Sequence, residues 1–141
     1  MGRILAIDYG KRRCGLAVTD ELRLVGSPLA TVDTPRLIEY IKHYIGQNKV
    51  DIIIVGEPTT LRGEPSESAK YIEPFISRLR QILPPGVEIA RYDERFTSAL
   101  AHQAMLAGGL GKMARRDKAL VDRTAATIIL NDYLQSIYNP K

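Results

Sequence analysis

Apolar residues run from Ile4 to Ile7, stop at Asp8, and resume from Cys14 to Val18 after Tyr9-Gly10-Lys11-Arg12-Arg13. Two short apolar runs about a glycine turn predict a β-hairpin that presents Asp8 at a strand end. The stretch Leu24–Val32 reads as a third strand, and Pro28 within it suits a sheet edge, because proline cannot donate to a central ladder. Thr34-Pro35 predicts a helix start, with Thr34 as N-cap and Pro35 in the first helical position. Leu37, Ile38, Ile41, Tyr44 and Ile45 follow at helical spacing, and Gly46 lies near the stop. The β-branched run Val50–Gly56 predicts a central strand covered on both faces, so strand, helix and strand form a crossover unit.

Glu57–Pro65 is polar and rich in turn formers, which predicts an exposed loop at the carboxyl end of that strand. Ser66 offers a cap to a helix whose apolar face is Ala69, Ile72, Ile76, Leu79 and Leu83. Pro74 should kink it and Pro84-Pro85-Gly86 should end it. Val87–Tyr92 predicts a strand running into Asp93-Glu94-Arg95, and Thr97 can cap a helix to about Ala107. The glycine-containing basic segment 108–118 resembles a P-loop only in Gly111-Lys112. Leu106 stands where the first glycine is needed and Met113 where Ser or Thr is needed. A last helix begins near Asp117, carries Val121–Leu130 and Tyr133-Leu134, and leads into a tail expected to be disordered.

Length and composition narrow the chemistry. The 141 residues suit one domain spanning 1–141, and 45% hydrophobic with 26% charged residues is an ordinary soluble balance with no membrane-length apolar run. The chain enters a strand at once, without a signal-peptide layout, and its single cysteine excludes an internal disulfide, so a cytoplasmic location is expected. With Cys14 read as a small core residue, and His43 and His102 as surface or packing residues, no zinc constellation remains. A catalytic metal would sit on oxygen ligands, which favours Mg2+ or Mn2+. The net charge of +4 is modest, but the basic residues cluster.

Asp8 has two readings. A carboxylate at the end of a buried strand is paired, hydrogen-bonded or used to bind a cation, or it fixes the turn by accepting the amide of Gly10. Carboxylates also follow a later strand, at Asp93 and Glu94. Asp122 stands in the last helix with Lys118, Ala119, Ala125 and Ala126 three and four residues away, a face small enough to approach a sheet. Two-metal phosphoryl chemistry needs such a set of carboxylates, and open α/β sheets bind ligands at the carboxyl ends of strands. Lys11, Arg12 and Arg13 in the turn, Arg95, and Lys112, Arg115, Arg116 and Lys118 in the glycine-containing segment are candidates to contact phosphates. Solvated charge is the alternative for each except Arg95, whose alternative is an ion pair with Asp93.

Four blocks carry a resemblance to a known family. They are Ala6–Ala17, Val55-Gly56-Glu57-Pro58, Asp93–Ser98, and Lys118–Asp122 leading to Ala125–Leu130. In this order they resemble the YqgF (RuvX-like) proteins, Holliday-junction-resolvase-like nucleases assigned to maturation of the 5′ end of pre-16S rRNA. The resemblance implies an α/β, RNase H-like fold, a mixed five-stranded sheet flanked by helices, with Asp8, Glu94 and Asp122 as a metal-binding acidic triad. It places the family acid at Glu94 rather than Asp93. Glu57 departs from the apolar residue of many relatives and is read as a solvated loop residue. The function this implies is hydrolysis of phosphodiester bonds in structured RNA, with pre-rRNA and ribosomal particles as partners and no membrane. A Holliday-junction-type DNA endonuclease acting on branched DNA and a non-catalytic RNA- or ribosome-binding factor are the alternatives. An actin-like ATPase, which shares the Asp-x-Gly turn, needs two lobes that 141 residues do not supply.

Overall fold

Five strands make one sheet in the order β3-β2-β1-β4-β5: β1 (Arg3–Asp8), β2 (Arg13–Thr19), β3 (Gly26–Asp33), β4 (Val50–Glu57) and β5 (Glu88–Asp93). The computed structural model describes residues 2–10, 12–57, 69–93 and 125–134. β1, β2 and β3 pair antiparallel, whereas β4 pairs parallel with β1 and with β5. The mixed sheet follows from the connections. A short hairpin turn joins β1 to β2, while α1 (Leu37–Gln47) and α2 (Ala69–Ile82) lie in the crossovers that return the chain to parallel strands. A third helix, α3, covers residues 125–134. Glu57, expected to open a loop, instead ends β4 in register with Asp93, because the ladder to β5 extends one residue past Gly56. The rest of that loop, the helices expected over 97–107 and before residue 125, and the tail lie outside the described residues.

Alternation along the strands divides the core. Leu5 and Ile7 of β1, Leu16 of β2, and Ile53 and Val55 of β4 pack with Leu37 and Ile41 of α1 and with Ile72, Phe75, Ile76 and Leu79 of α2. The intervening residues Ile4, Ala6, Ala17 and Ile54 face Ala126, Ile129, Leu130 and Leu134 of α3. β4 is therefore apolar on both faces, the physical reason for its unbroken β-branched run. Each fully buried Leu or Ile in this sandwich contributes about 1.5–3 kcal/mol. Small residues on the α3 side, Ala6, Ala17 and Ala126, allow close packing there. Gly26 at the start of β3 is clasped by Asn131 of α3. Its amide donates to Asn131 Oδ1 at 2.9 Å, and a Cβ in its place would come within 2.8 Å of Leu130.

Pro28 lies on β3, the edge strand, as its sequence required. Thr34 departs from the helix-cap expectation. It begins a 3-10 turn, Thr34–Arg36, whose capping position is Asp33, while α1 is preceded by Arg36, and neither cap makes a side-chain hydrogen bond. The Thr34 hydroxyl is engaged elsewhere, on the carbonyl of Gly10. At the end of the sheet remote from Asp8, the amide of Gly2 and the guanidinium of Arg23 both donate to Asp51 Oδ2, at 2.8 and 2.9 Å.

Candidate active site

Asp8 ends β1, and strand register fixes what surrounds it. It lies directly opposite Gly15 on β2 and Gly56 on β4. Gly15 is in turn opposite Thr31 on β3, and Gly56 is opposite Tyr92 on β5. One row thus crosses all five strands, Thr31-Gly15-Asp8-Gly56-Tyr92, with a carboxylate at its centre and no side chain on either immediate neighbour. Adjacent strands lie about 4.8 Å apart, so the strand neighbour of the half-buried carboxylate on either side is a buried glycine that brings no side chain to it. Glycine inside a strand weakens it, and one reason to keep it is a ligand approaching the backbone closely.

The row belongs to the α3 face. Ile4 and Ala6 precede Asp8 on alternate positions of β1 and pack on α3, whereas Leu5, Ile7 and Tyr9 face α1 and α2. Ala90 and Tyr92 of β5 pack on the same α3 cluster as Ala6, so the Asp8 face continues along β5 in the series 90, 92. Arg91, out of that series, pairs instead with Glu73 of α2 at 2.8 Å.

The turn that follows Asp8 is held from both sides. Tyr9, 6% exposed, stacks on Phe75 with ring centroids 4.9 Å apart, and burial pushes its hydroxyl pKa up. The carbonyl of Gly10 accepts the Thr34 hydroxyl at 2.7 Å, and the carbonyl of Arg12 accepts the Thr34 amide at 3.0 Å. Gly10 has no room for a side chain, since a Cβ there would collide with the carbonyl oxygen of Arg13. Cys14 is buried in the α1/α2 cluster, as expected of a small core residue, and its thiol lies 3.5 Å from the Thr34 hydroxyl.

Of the basic residues expected near phosphate, Arg12 is exposed and Arg13 half-buried. Arg13 alternates with Gly15 and Ala17, which puts it on the face of Asp8. His43 is exposed. Lys11, Glu94, Arg95, Lys112, Arg115, Arg116, Lys118 and Asp122 lie outside the described residues. Among the described residues no three His, Cys, Asp or Glu side chains form a metal cluster, and no helix is long and apolar enough to cross a membrane. Gly15 and Gly56 are the part of the site that motif reading misses. Their signal is a glycine inside or at the end of an apolar strand, Cys14-Gly15-Leu16 and Ile54-Val55-Gly56.

A family model described as RuvX, Holliday junction resolvase, matches residues 2–136. Curated relatives named "Putative pre-16S rRNA nuclease" include those of Phocaeicola vulgatus and Parabacteroides distasonis. They are 51% and 48% identical over 136 residues, covering 96% of this chain and 97% and 96% of theirs. Among solved structures, Fowlpox virus resolvase with Holliday junction DNA aligns with a TM-score of 0.59 at 11% identity, over 96% of this chain and 98% of that one. RuvC from T. thermophilus, in complex with a Holliday junction substrate, aligns with a TM-score of 0.58 at 18% identity, over 99% and 97%. These two likenesses establish the RNase H-like architecture. The chain belongs to the RuvX family and is a nuclease, a hydrolase of phosphodiester bonds.

Proposed function

We propose that this chain is a metal-dependent nuclease that cuts structured RNA at the 5′ side of precursor 16S rRNA, with Asp8, Glu94 and Asp122 as its acidic triad. The observation that carries the reading is the side-chain-free strip beside Asp8. A strand-end carboxylate whose neighbours on both adjacent strands are glycines has no side chain from them competing with a cation or a phosphodiester oxygen. The family resemblance puts the acid at Glu94, the residue that follows β5, whose Ala90 and Tyr92 belong to the cluster that includes Ala6. Ala126 of α3 packs in the cluster that includes Ala6, two residues before Asp8 on its strand, and Asp122 precedes Ala126 by four residues in the sequence.

These are hard oxygen donors, so Mg2+ or Mn2+ is the fitting metal. When bound, such ions activate the attacking water and stabilise the leaving oxygen. The residues do the rest. The triad holds the charge in place, the strip admits the scissile phosphate, and Lys11, Arg12, Arg13, Arg95, Lys112, Arg115, Arg116 and Lys118 neutralise the flanking backbone. A protein that bound RNA without cutting it would gain little from carboxylates aimed at phosphate, which argues against the non-catalytic alternative. The relatives near half identity are named for pre-16S rRNA, whereas likeness to the DNA resolvases is one of fold, and this favours RNA.

Purified protein is incubated with an RNA spanning the 5′ end of precursor 16S rRNA and with a four-way DNA junction, each with Mg2+, Mn2+ or EDTA. Metal-dependent cutting of the RNA and not of the junction is expected. Cutting of the junction alone would replace RNA by branched DNA, and binding without cutting under every metal would overturn the nuclease reading.

A further inference from the structure

Thr34 reaches across from the end of β3 and holds the β1–β2 turn at two points, one on each side of position 11. Its hydroxyl donates to the Gly10 carbonyl at 2.7 Å and its amide to the Arg12 carbonyl at 3.0 Å. The two bonds differ in kind. The amide bond survives any substitution but proline, whereas the hydroxyl bond depends on the residue. Thr34 is only half-buried and caps no helix, so its hydroxyl is not required by the helix it precedes. The turn it holds carries Lys11 and Arg12 and leads into Arg13 at the start of β2, three consecutive cations that follow Tyr9-Gly10 after Asp8.

We propose that Thr34 is a positioning residue for the nuclease reaction: by fixing the Gly10 and Arg12 carbonyls it sets the basic turn at a constant distance from Asp8, so that the turn meets the phosphates flanking the scissile bond. The inference rests on the turn's role in the proposed function. A turn free to swing would still attract RNA through its charge, but would spend part of that attraction on ordering itself. Gly10 contributes by its lack of a Cβ, which would strike the Arg13 carbonyl and force the turn open. In the absence of the Thr34 hydroxyl the Cys14 thiol, 3.7 Å from the Gly10 carbonyl, is left as a weak donor that does not replace it.

The test uses the full chain carrying Asp8→Asn, so that RNA is bound and not consumed, and the same 5′ precursor 16S rRNA probe titrated over a range of salt. Thr34→Val keeps the shape and removes the hydroxyl, Thr34→Ser restores a hydroxyl, and Lys11→Ala/Arg12→Ala/Arg13→Ala reports the turn itself. Thr34→Val should weaken RNA binding about fivefold, the scale of one missing hydrogen bond, with the slope of log affinity against log salt unchanged because no charge is removed, while Thr34→Ser should bind as the parent does. Hydrogen exchange at the amides of residues 10–13 should quicken in Thr34→Val alone. If the triple turn variant loses affinity and Thr34→Val lowers only the melting temperature, Thr34 is structural and the proposal is overturned. If the triple turn variant binds like the parent, the turn does not contact phosphate, and the reading on which the proposal rests falls with it.

Discussion

Asp8 and Gly56 stand directly opposite each other on the parallel strands β1 and β4, so the residue beside the strand-end carboxylate on its central neighbour is one that has no side chain. Tyr92 comes next across the sheet, opposite Gly56. Any larger residue at 56 would project onto the face of Asp8, into the strip the substrate is proposed to use.

Gly56→Ala is therefore a test of that space. The added methyl group should reduce the cleavage rate tenfold or more, because displacing a reacting group by about 1 Å can cost a hundredfold. Stability in urea should change by no more than about 1 kcal/mol, since alanine lowers the entropy of the unfolded chain while crowding the folded one. An unchanged rate would mean that the strip is not occupied during the reaction.

Asp8 at the end of its strand, the buried β4 and Pro28 on an edge were legible because each depends on local alternation or on what proline cannot do. The glycine row was not, because it exists only in the register of β2, β1 and β4, and register is settled by pairing between distant segments. Thr34 misleads for a related reason. Thr-Pro before an apolar helical pattern reads as a cap, but the hydroxyl has a competing acceptor in the Gly10 carbonyl, remote in sequence and brought near by the hairpin. The choice of Glu94 over Asp93 rests on a family likeness alone.

The acid limb of stability should come in part from carboxylates far from the site. The amide of Gly2, aided by the charges of Lys49 and Arg23, holds Asp51 below the usual carboxylate range, and the amides of Val25 and Leu24 do the same for Asp20. A lowered folded-state pKa stabilises above the unfolded value of 3.8 and is lost as pH falls through the folded value. Melting temperature should thus decline below about pH 4, and Asp51→Asn should flatten that decline while lowering stability at neutral pH. Equal acid slopes in the parent and in Asp51→Asn would contradict it.

The segment 108–118 should supply cations to the phosphate backbone. Replacing Lys112, Arg115 and Arg116 together by alanine should weaken RNA binding and reduce the slope of log affinity against log salt by roughly 0.7 for each single-strand phosphate no longer neutralised. A parallel salt series on the parent and the triple variant reads this directly, and identical slopes would remove those cations from the interface.

Whether Asp8 serves metal-dependent hydrolysis is read most directly from cleavage of the 5′ precursor 16S rRNA probe by the parent and by Asp8→Asn. Asparagine keeps the shape and can still accept a turn amide, but it lacks the charge a divalent cation needs. The parent should cut with Mg2+ or Mn2+ and not with EDTA. Asp8→Asn should remain folded, bind the RNA at least as tightly as charge repulsion falls, and fail to cut it. An Asp8→Asn protein that cleaves at the parent's rate would show that Asp8 serves only the turn.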